Sequence, residues 1–258
     1  VTMSGHAGPS PVHELNPVTK LVTLVALLLV VFAVPDWRIA TLAIALVVIP
    51  AALVARCTLR VAKLSAVILL PILSALTIVQ GLTFPGGRTI IWQWGIVAVS
   101  REGMMFALGV GSRIACLVLA SILFLLTTHS GRMLGALTER GMPPKLAYII
   151  SATLQLLPAF RERVETISLA QQARGLPIRT GLKGRIRMLL PLLSPMVLTL
   201  FADAGERATA MEARRFGSTA KRTSLSPVPD SRMQRVARWL ILALALVLVA
   251  LNVLGGVL

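Results

Sequence analysis

Five apolar runs, each close to the length of a bilayer core, decide what this 258-residue chain can become. A helix needs about 20 apolar residues to cross roughly 30 Å of hydrocarbon. The runs occupy residues 18–34, 38–55, 64–84, 103–127 and 239–254. Pro35, Pro85-Gly86-Gly87 and Thr127-Thr128-His129 punctuate them. Composition agrees: 56% of residues are hydrophobic and only 14% charged, against about 45–50% and 25% in soluble domains. That apolarity excludes intrinsic disorder, which requires low hydrophobicity. No signal-peptide cleavage pattern is expected, because the first run lacks a basic lead and a small-residue cleavage site.

The chain is nevertheless strongly basic, with a net charge of +16. The excess is uneven. Eighteen of the 26 Lys and Arg residues, and seven of the ten acids, lie between Arg132 and Arg238. Arg56, Arg60 and Lys63 lie between the second and third runs, and the other two short loops carry little charge. Because basic loops stay inside, the N-terminus, residues 56–63 and residues 128–238 are expected in the cytoplasm, with the C-terminus outside. Basic residues that fix membrane sidedness do not make a nucleic-acid-binding surface, so no nucleic-acid partner is expected. Cys57 and Cys116 form no CxxC site, and His6, His13 and His129 are scattered, so no metal site is expected.

The segment 128–238 is too long for a plain connection and predicts three helices, over 130–140, 144–174 and 182–215. Gly141 and Pro143-Pro144 stop the first, Gly175 the second and Gly217 the third. The two long ones would each measure roughly 45–50 Å. Their first halves are apolar and their second halves polar. Gln155 and Pro158 interrupt one apolar half, and Lys183, Arg185 and Arg187 introduce the other. Helices that run out from the interface therefore suit them better than two further spans. The predicted fold is all-α: a polytopic membrane bundle of about five spans with two long cytoplasmic helices. Its expected divisions are a flexible N-terminus (1–14), a four-span bundle (15–127), the cytoplasmic helical region (128–217), a linker (218–235) and the last span (236–258).

Candidate functional residues concentrate on the long helices. Small residues four apart at Ala204, Gly205 and Ala208 suit a close helix crossing, with Ser168 and Ala170 as their counterparts. Each helix then ends in an arginine tip: Ala173-Arg174-Gly175, and Ala213-Arg214-Arg215 before Phe216-Gly217. One arginine near a helix C-terminus is explained by the helix dipole alone. Two similar tips on two similar helices suggest a paired partner with acidic grooves, since arginine recognises carboxylates bidentately. Arg113, inside the fourth run, is expected to face the bundle and pair with backbone or a polar neighbour. Glu162 and Glu165 read as a solvated face partnering Arg161 and Arg163. His129 reads as a neighbour of a helix cap.

Taken in order, Asn16-Pro17-Val18-Thr19-Lys20, Arg113, Thr127-Thr128, Gly141-Met142-Pro143, Leu157-Pro158, Ala170-Gln171-Gln172-Ala173-Arg174-Gly175 and Ala210-Met211-Glu212-Ala213-Arg214 resemble one family over most of the chain. It is the transmembrane coupling subunit, or T component, of energy-coupling factor transporters, which includes permeases of the CbiQ cobalt type and the BioN biotin type. The resemblance implies two coupling helices crossing in an X, whose arginine tips dock into two ABC-type ATPase subunits. ATP-driven closure of that pair would move a membrane S component that carries a vitamin or a transition metal. By motif match Arg174 and Arg214 would dock, flanked by Ala173, Gly175, Ala213 and Arg215. Arg215 departs from the family pattern, which favours a small residue there, and either adds a groove contact or shifts the helix cap to Gly217.

The resemblance implies no enzyme and no cofactor in this chain, with ATP bound by partner subunits only. The sequence agrees in lacking a GxxxxGK[ST] phosphate loop. Two other readings stand beside it. A permease subunit of another transporter type would offer one coupling loop in place of two tips. A membrane-embedded lipid-modifying enzyme would need acids or histidines clustered at one depth, and the apolar runs hold none.

Overall fold

The computed structural model describes residues 15–34, 36–83, 89–94, 97–175, 182–217 and 230–255. The expected flexible stretch 1–14, and residues 218–229 of the expected linker, lie outside them. The chain divides into two compact units, Thr2–Ala136 with Pro227–Leu258, and Leu137–Ser226.

The first unit holds the apolar helices. They are α1 (Pro17–Ala33), α2 (Trp37–Val54), α3 (Thr58–Thr83), α4 (Arg101–Thr127) and α8 (Arg232–Gly255). Among the described residues, α2, α3, α4 and α8 are long and apolar enough to cross a membrane, and α1 is a shorter apolar helix. Their outward faces carry large apolar side chains, such as Leu46, Leu59, Val67 and Leu125, each more than 70% exposed. A water-soluble surface would not carry such a belt; hydrocarbon accepts it.

The interior is lined by small residues: Ala40, Ala52, Ala55, Cys116 and Ala120 are buried at helix contacts. That is expected where backbones approach closely without a hydrophobic drive between helices. The largest pairing is α3 against α4, and α8 packs on α1. Gly103, Ala107 and Gly111 are spaced four apart on α4, and both glycines face α3. A Cβ on Gly103 would fall on the Gln80 carbonyl oxygen, and one on Gly111 would come within 3.0 Å of Leu73.

Local chemistry sets the helix boundaries. Asn16 caps α1, its side chain accepting from Val18 N–H at 3.0 Å, and Pro17 fills the first turn where its missing N–H is harmless. Pro50 cannot donate to the carbonyl four residues back, and α2 widens into a π turn over Ile44–Val48 just before it. The sequence reading had no sign of that turn. It also read residues 85–102 as a loop, whereas Ile90–Trp94 (β1) and Val97–Ser100 (β2) pair as an antiparallel hairpin leading into α4. The last helix starts at Arg232, not beyond residue 235, because Ser231 caps it by accepting from Gln234 N–H.

The second unit is built on α6 (Pro144–Ala173) and α7 (Leu182–Ala213). Both run as continuous helices through their internal prolines, Pro158 in α6 and Pro191 and Pro195 in α7. A short α5 (Ser130–Thr138) precedes them in the chain, its residues up to Ala136 belonging to the first unit. His129 caps α5 through Nδ1, which accepts from Gly131 N–H at 3.2 Å. Gly141, at φ 102°, ends the turn after it, so 130–140 shortens by two residues as a helix.

Candidate coupling site

The sequence makes both helix ends stop on an arginine. The backbone makes the two stops equivalent. In α6, Arg174 is the capping residue and its N–H donates to Ala170 and Gln171 carbonyls at 3.2 and 3.1 Å. Gly175 follows at φ 90°, its N–H donating to Gln172 carbonyl at 2.9 Å. In α7, Arg214 donates to Ala210 carbonyl at 3.3 Å. Arg215 follows at φ 50°, donating to Glu212 carbonyl at 2.9 Å, and Phe216 N–H reaches Met211 carbonyl at 2.9 Å. That pair of bonds is a Schellman cap. Arg174 and Arg214 therefore hold the same position in two like caps. Both are exposed, as are Ala173, Gly175, Ala213 and Arg215.

The cap also settles how Arg215 departs from the family pattern. The Schellman cap closes on Arg215, and Gly217, itself left-handed at φ 93°, lies two residues beyond it. A side chain at position 215 costs roughly 1–2 kcal/mol compared with glycine. Attraction to the C-terminal carbonyls returns about 0.3–1 kcal/mol, which is less than the cost. Arg56, at φ 53° after α2, is the other described non-glycine residue in this region.

The two helices run in opposite directions. Tyr148, in the first turns of α6, meets Phe216 beyond α7 edge to face at 5.2 Å between ring centres. Further along, Arg163 Nη2 of α6 pairs with Asp203 Oδ2 of α7 at 2.5 Å. The second tip therefore lies beside the start of α6, and the first tip lies at its far end. Measured along α6 from Tyr148 to Arg174, the tips stand about 40 Å apart.

This geometry moves the expected helix contact. Ala204, Gly205 and Ala208 are exposed, and a Cβ on Gly205 would meet nothing within 4 Å. The approach is made about one turn earlier, where Arg163, Thr166 and Ile167 face Thr199, Ala202 and Asp203 around an open cleft of about 340 Å³. Ser168, the proposed counterpart, is occupied within α6, accepting from Gln172 Nε2 at 3.1 Å. The physical reason is the ion pair. It marks where the helices meet, at Asp203, and small-residue spacing in an alanine-rich helix does not by itself set the crossing point. Arg163 thus reaches across to α7 and not to its own helix's glutamates, and its Nη1 is buried without a hydrogen-bond partner among the described residues.

Arg113 lies in the middle of α4, and its Nε is buried without a hydrogen-bond partner among the described residues, so the expected pairing is not seen there. Cys116, three residues on, is sealed against Val31 and Ala40. Arg113 therefore sits about 4.5 Å beyond that seal, level with the point where α1 ends and α2 begins.

A second polar constellation was not anticipated. Arg238 of α8 is only 7% exposed and grips Asp230 with two bonds, Nη1–Oδ1 and Nη2–Oδ2, both 2.9 Å. Its Nη1 also donates to Thr19 Oγ1 at 2.9 Å. Beside it Asn16 N–H donates to Gln234 Oε1 at 3.2 Å, and Lys20 Nζ donates to Thr127 carbonyl at 2.7 Å. The Asn16–Lys20 motif and Thr127 are therefore parts of one latch closing α1, α4 and α8 together. The available signal was Asp230, a lone acid in a basic stretch. Among the described residues no group of His, Cys, Asp and Glu is placed to hold a metal ion.

Apolar helices that could cross a membrane, joined in one chain to an antiparallel pair that ends in two like caps, define a multi-pass membrane protein. The chain belongs to the CbiQ family, described as cobalt transport protein, whose family model matches residues 8–225. It is 28% identical to the energy-coupling factor transporter transmembrane protein EcfT of Acidaminococcus fermentans over 96% of this chain and 94% of that one. It is 31% identical to the protein of the same name from Heliobacterium modesticaldum over 85% of each. The match to the Limosilactobacillus fermentum protein, also 31% identical, covers 63% of this chain and 64% of that protein.

Proposed function

We propose that this chain is the transmembrane coupling component of an energy-coupling factor importer. It transmits ATP-driven motion from two ABC-type ATPase subunits to a membrane S component that binds a vitamin or a transition metal. The relatives' names support the transport role. The observation that carries the coupling role is the pair of equivalent caps holding Arg174 and Arg214 at opposite ends of one fastened helix pair.

Two exposed guanidiniums about 40 Å apart along α6 suit two acidic grooves on two subunits. A rigid link between them turns approach of the subunits into motion of the helices. The Arg163–Asp203 pair is the fastening about which α6 and α7 shift. The exposed apolar side chains before the tips, including Leu154 and Leu157 on α6 and Leu198 and Phe201 on α7, offer the face to a membrane partner. The basic residues support an orientation with the N-terminus and both tips in the cytoplasm and the C-terminus outside. The chain supplies no chemistry itself, and ATP is bound by the partner subunits.

Charge reversal tests the proposal. Arg174→Glu with Arg214→Glu is expected to abolish co-purification of the ATPases while the chain still inserts in the membrane. Retention of both ATPases by that variant would sink the coupling assignment.

A further inference from the structure

We infer that the corner where α4 ends beside the start of α1 is a binding site for the phosphate of an anionic lipid headgroup, held by Lys20, Thr128 and Arg132. The site lies in the first unit and is independent of the two arginine tips.

The two threonines that close α4 are left in different states. Thr127 is still helical, and its hydroxyl donates to the Leu123 carbonyl at 2.8 Å. Thr128 is extended, at φ −119° and ψ 118°, so its hydroxyl leaves the geometry in which a helical threonine bonds back to its own helix. Thr128 Oγ1 is buried without a hydrogen-bond partner among the described residues. A hydroxyl left in that state is destabilising. The residue as a whole is partly exposed, and rotation about χ1 turns the hydroxyl to the surface.

Two cations stand at the same corner. The Lys20 ammonium has three donors and uses one among the described residues, on the Thr127 carbonyl at 2.7 Å. That bond places Nζ one residue from Thr128. Arg132, exposed in the first turn of α5, is near enough for its charge to repel that of Lys20. Among the described residues no acid offsets Lys20 there. Asp230 is held on both oxygens by Arg238. Glu139 follows the far end of α5, about 10 Å along from Arg132. His129 accepts from Gly131 N–H and brings no negative charge, and Arg232 and Arg235 in the first turns of α8 add positive charge to this side of the bundle. Like charges held together beside an unused hydroxyl are a donor set without its acceptor. A phosphate supplies it, since its oxygens take an ammonium, a guanidinium and a hydroxyl at once.

The position of the corner selects the source of that phosphate. Lys20 lies in the first turn of apolar α1 and Thr128 directly follows α4, so both stand where hydrocarbon gives way to headgroups. Leu125, three residues before Thr128, is 76% exposed and offers an apolar surface to the acyl chains of the same lipid. A free phosphate has no use for that surface.

Lipid titration of the purified full chain in a neutral detergent, read by native mass spectrometry, tests the site. Phosphatidylglycerol is expected to bind about tenfold more tightly than phosphatidylcholine, whose headgroup carries its own cation. Arg132→Gln should weaken phosphatidylglycerol about tenfold and Thr128→Val about threefold. Without lipid, the Thr128→Val chain should be at least as heat-stable as the parent, because it loses only an unpartnered hydroxyl. Lys63→Gln, which removes an exposed cation near the start of α3, should leave the affinity unchanged. Equal weakening by Lys63→Gln and Arg132→Gln would reduce the effect to diffuse attraction and overturn the site. Parental affinity in Arg132→Gln or Thr128→Val overturns it as well, as does phosphatidylcholine bound as tightly as phosphatidylglycerol. Inorganic phosphate that displaces phosphatidylglycerol at equal concentration would make free phosphate the ligand and overturn the lipid assignment.

Discussion

Arg238 and Arg214 are the same side chain in opposite circumstances. Arg238 is 7% exposed and spends its guanidinium inside the first unit, on both oxygens of Asp230 and on Thr19. Arg214 is exposed at the end of α7, and among the described residues it bonds only through its backbone N–H. A buried arginine bonded to Asp230 and Thr19 ties the first unit together. An exposed arginine fixed in place by a rigid cap, with its side chain uncommitted, is prepared for something else. The contrast separates a basic residue that builds the fold from the two that the proposed function assigns to a partner.

Breaking each kind should give opposite readouts. Reversing Arg174 and Arg214 together should weaken ATPase binding at least 1,000-fold, about 4 kcal/mol, with little change in thermal stability in detergent. Arg238→Gln should do the reverse, costing about 3 kcal/mol of stability by stranding Asp230, seen as a lower unfolding temperature. If instead Arg238→Gln left stability unchanged and released the ATPases, the division between the two arginines would fail. Gly103→Ala should cost about 2 kcal/mol by pushing α4 off the Gln80 carbonyl, again without an effect specific to ATPase binding. Asp203→Asn should be milder, about 1 kcal/mol, because the partners of the pair are 37% and 26% exposed. Its sharper signature should be a looser α6–α7 distance distribution between spin labels on the two helices.

The spans were legible because hydropathy over 20 residues is a strong signal, and observed helices match the apolar runs to within a few residues except at the start of α3 and α8. The arginine tips were legible as letters, since Gly175 marks a helix end. Whether Arg215 or Gly217 carried the second cap was not legible, because only the backbone φ decides it. The α6–α7 contact was misplaced by about one turn. Ala204, Gly205 and Ala208 advertise close packing locally, while the fastening depends on Arg163 and Asp203, 40 residues apart. The latch was hidden for the same reason: Thr19 and Arg238 are separated by 219 positions. The β1–β2 hairpin did leave a trace. Its run of Ile, Trp and Val residues around Gly95 fits paired strands.

The central claim is that the two tips meet two ATPase subunits. A benzoylphenylalanine cross-linker placed singly at Ala173 and at Ala213, both exposed beside the docking arginines, tests it most directly in the assembled complex. Irradiation should join an ATPase subunit to the chain from each position, and the cross-linked peptides should contain acidic residues. Cross-links from either position that reach only lipid, the S component or this chain itself would contradict the account.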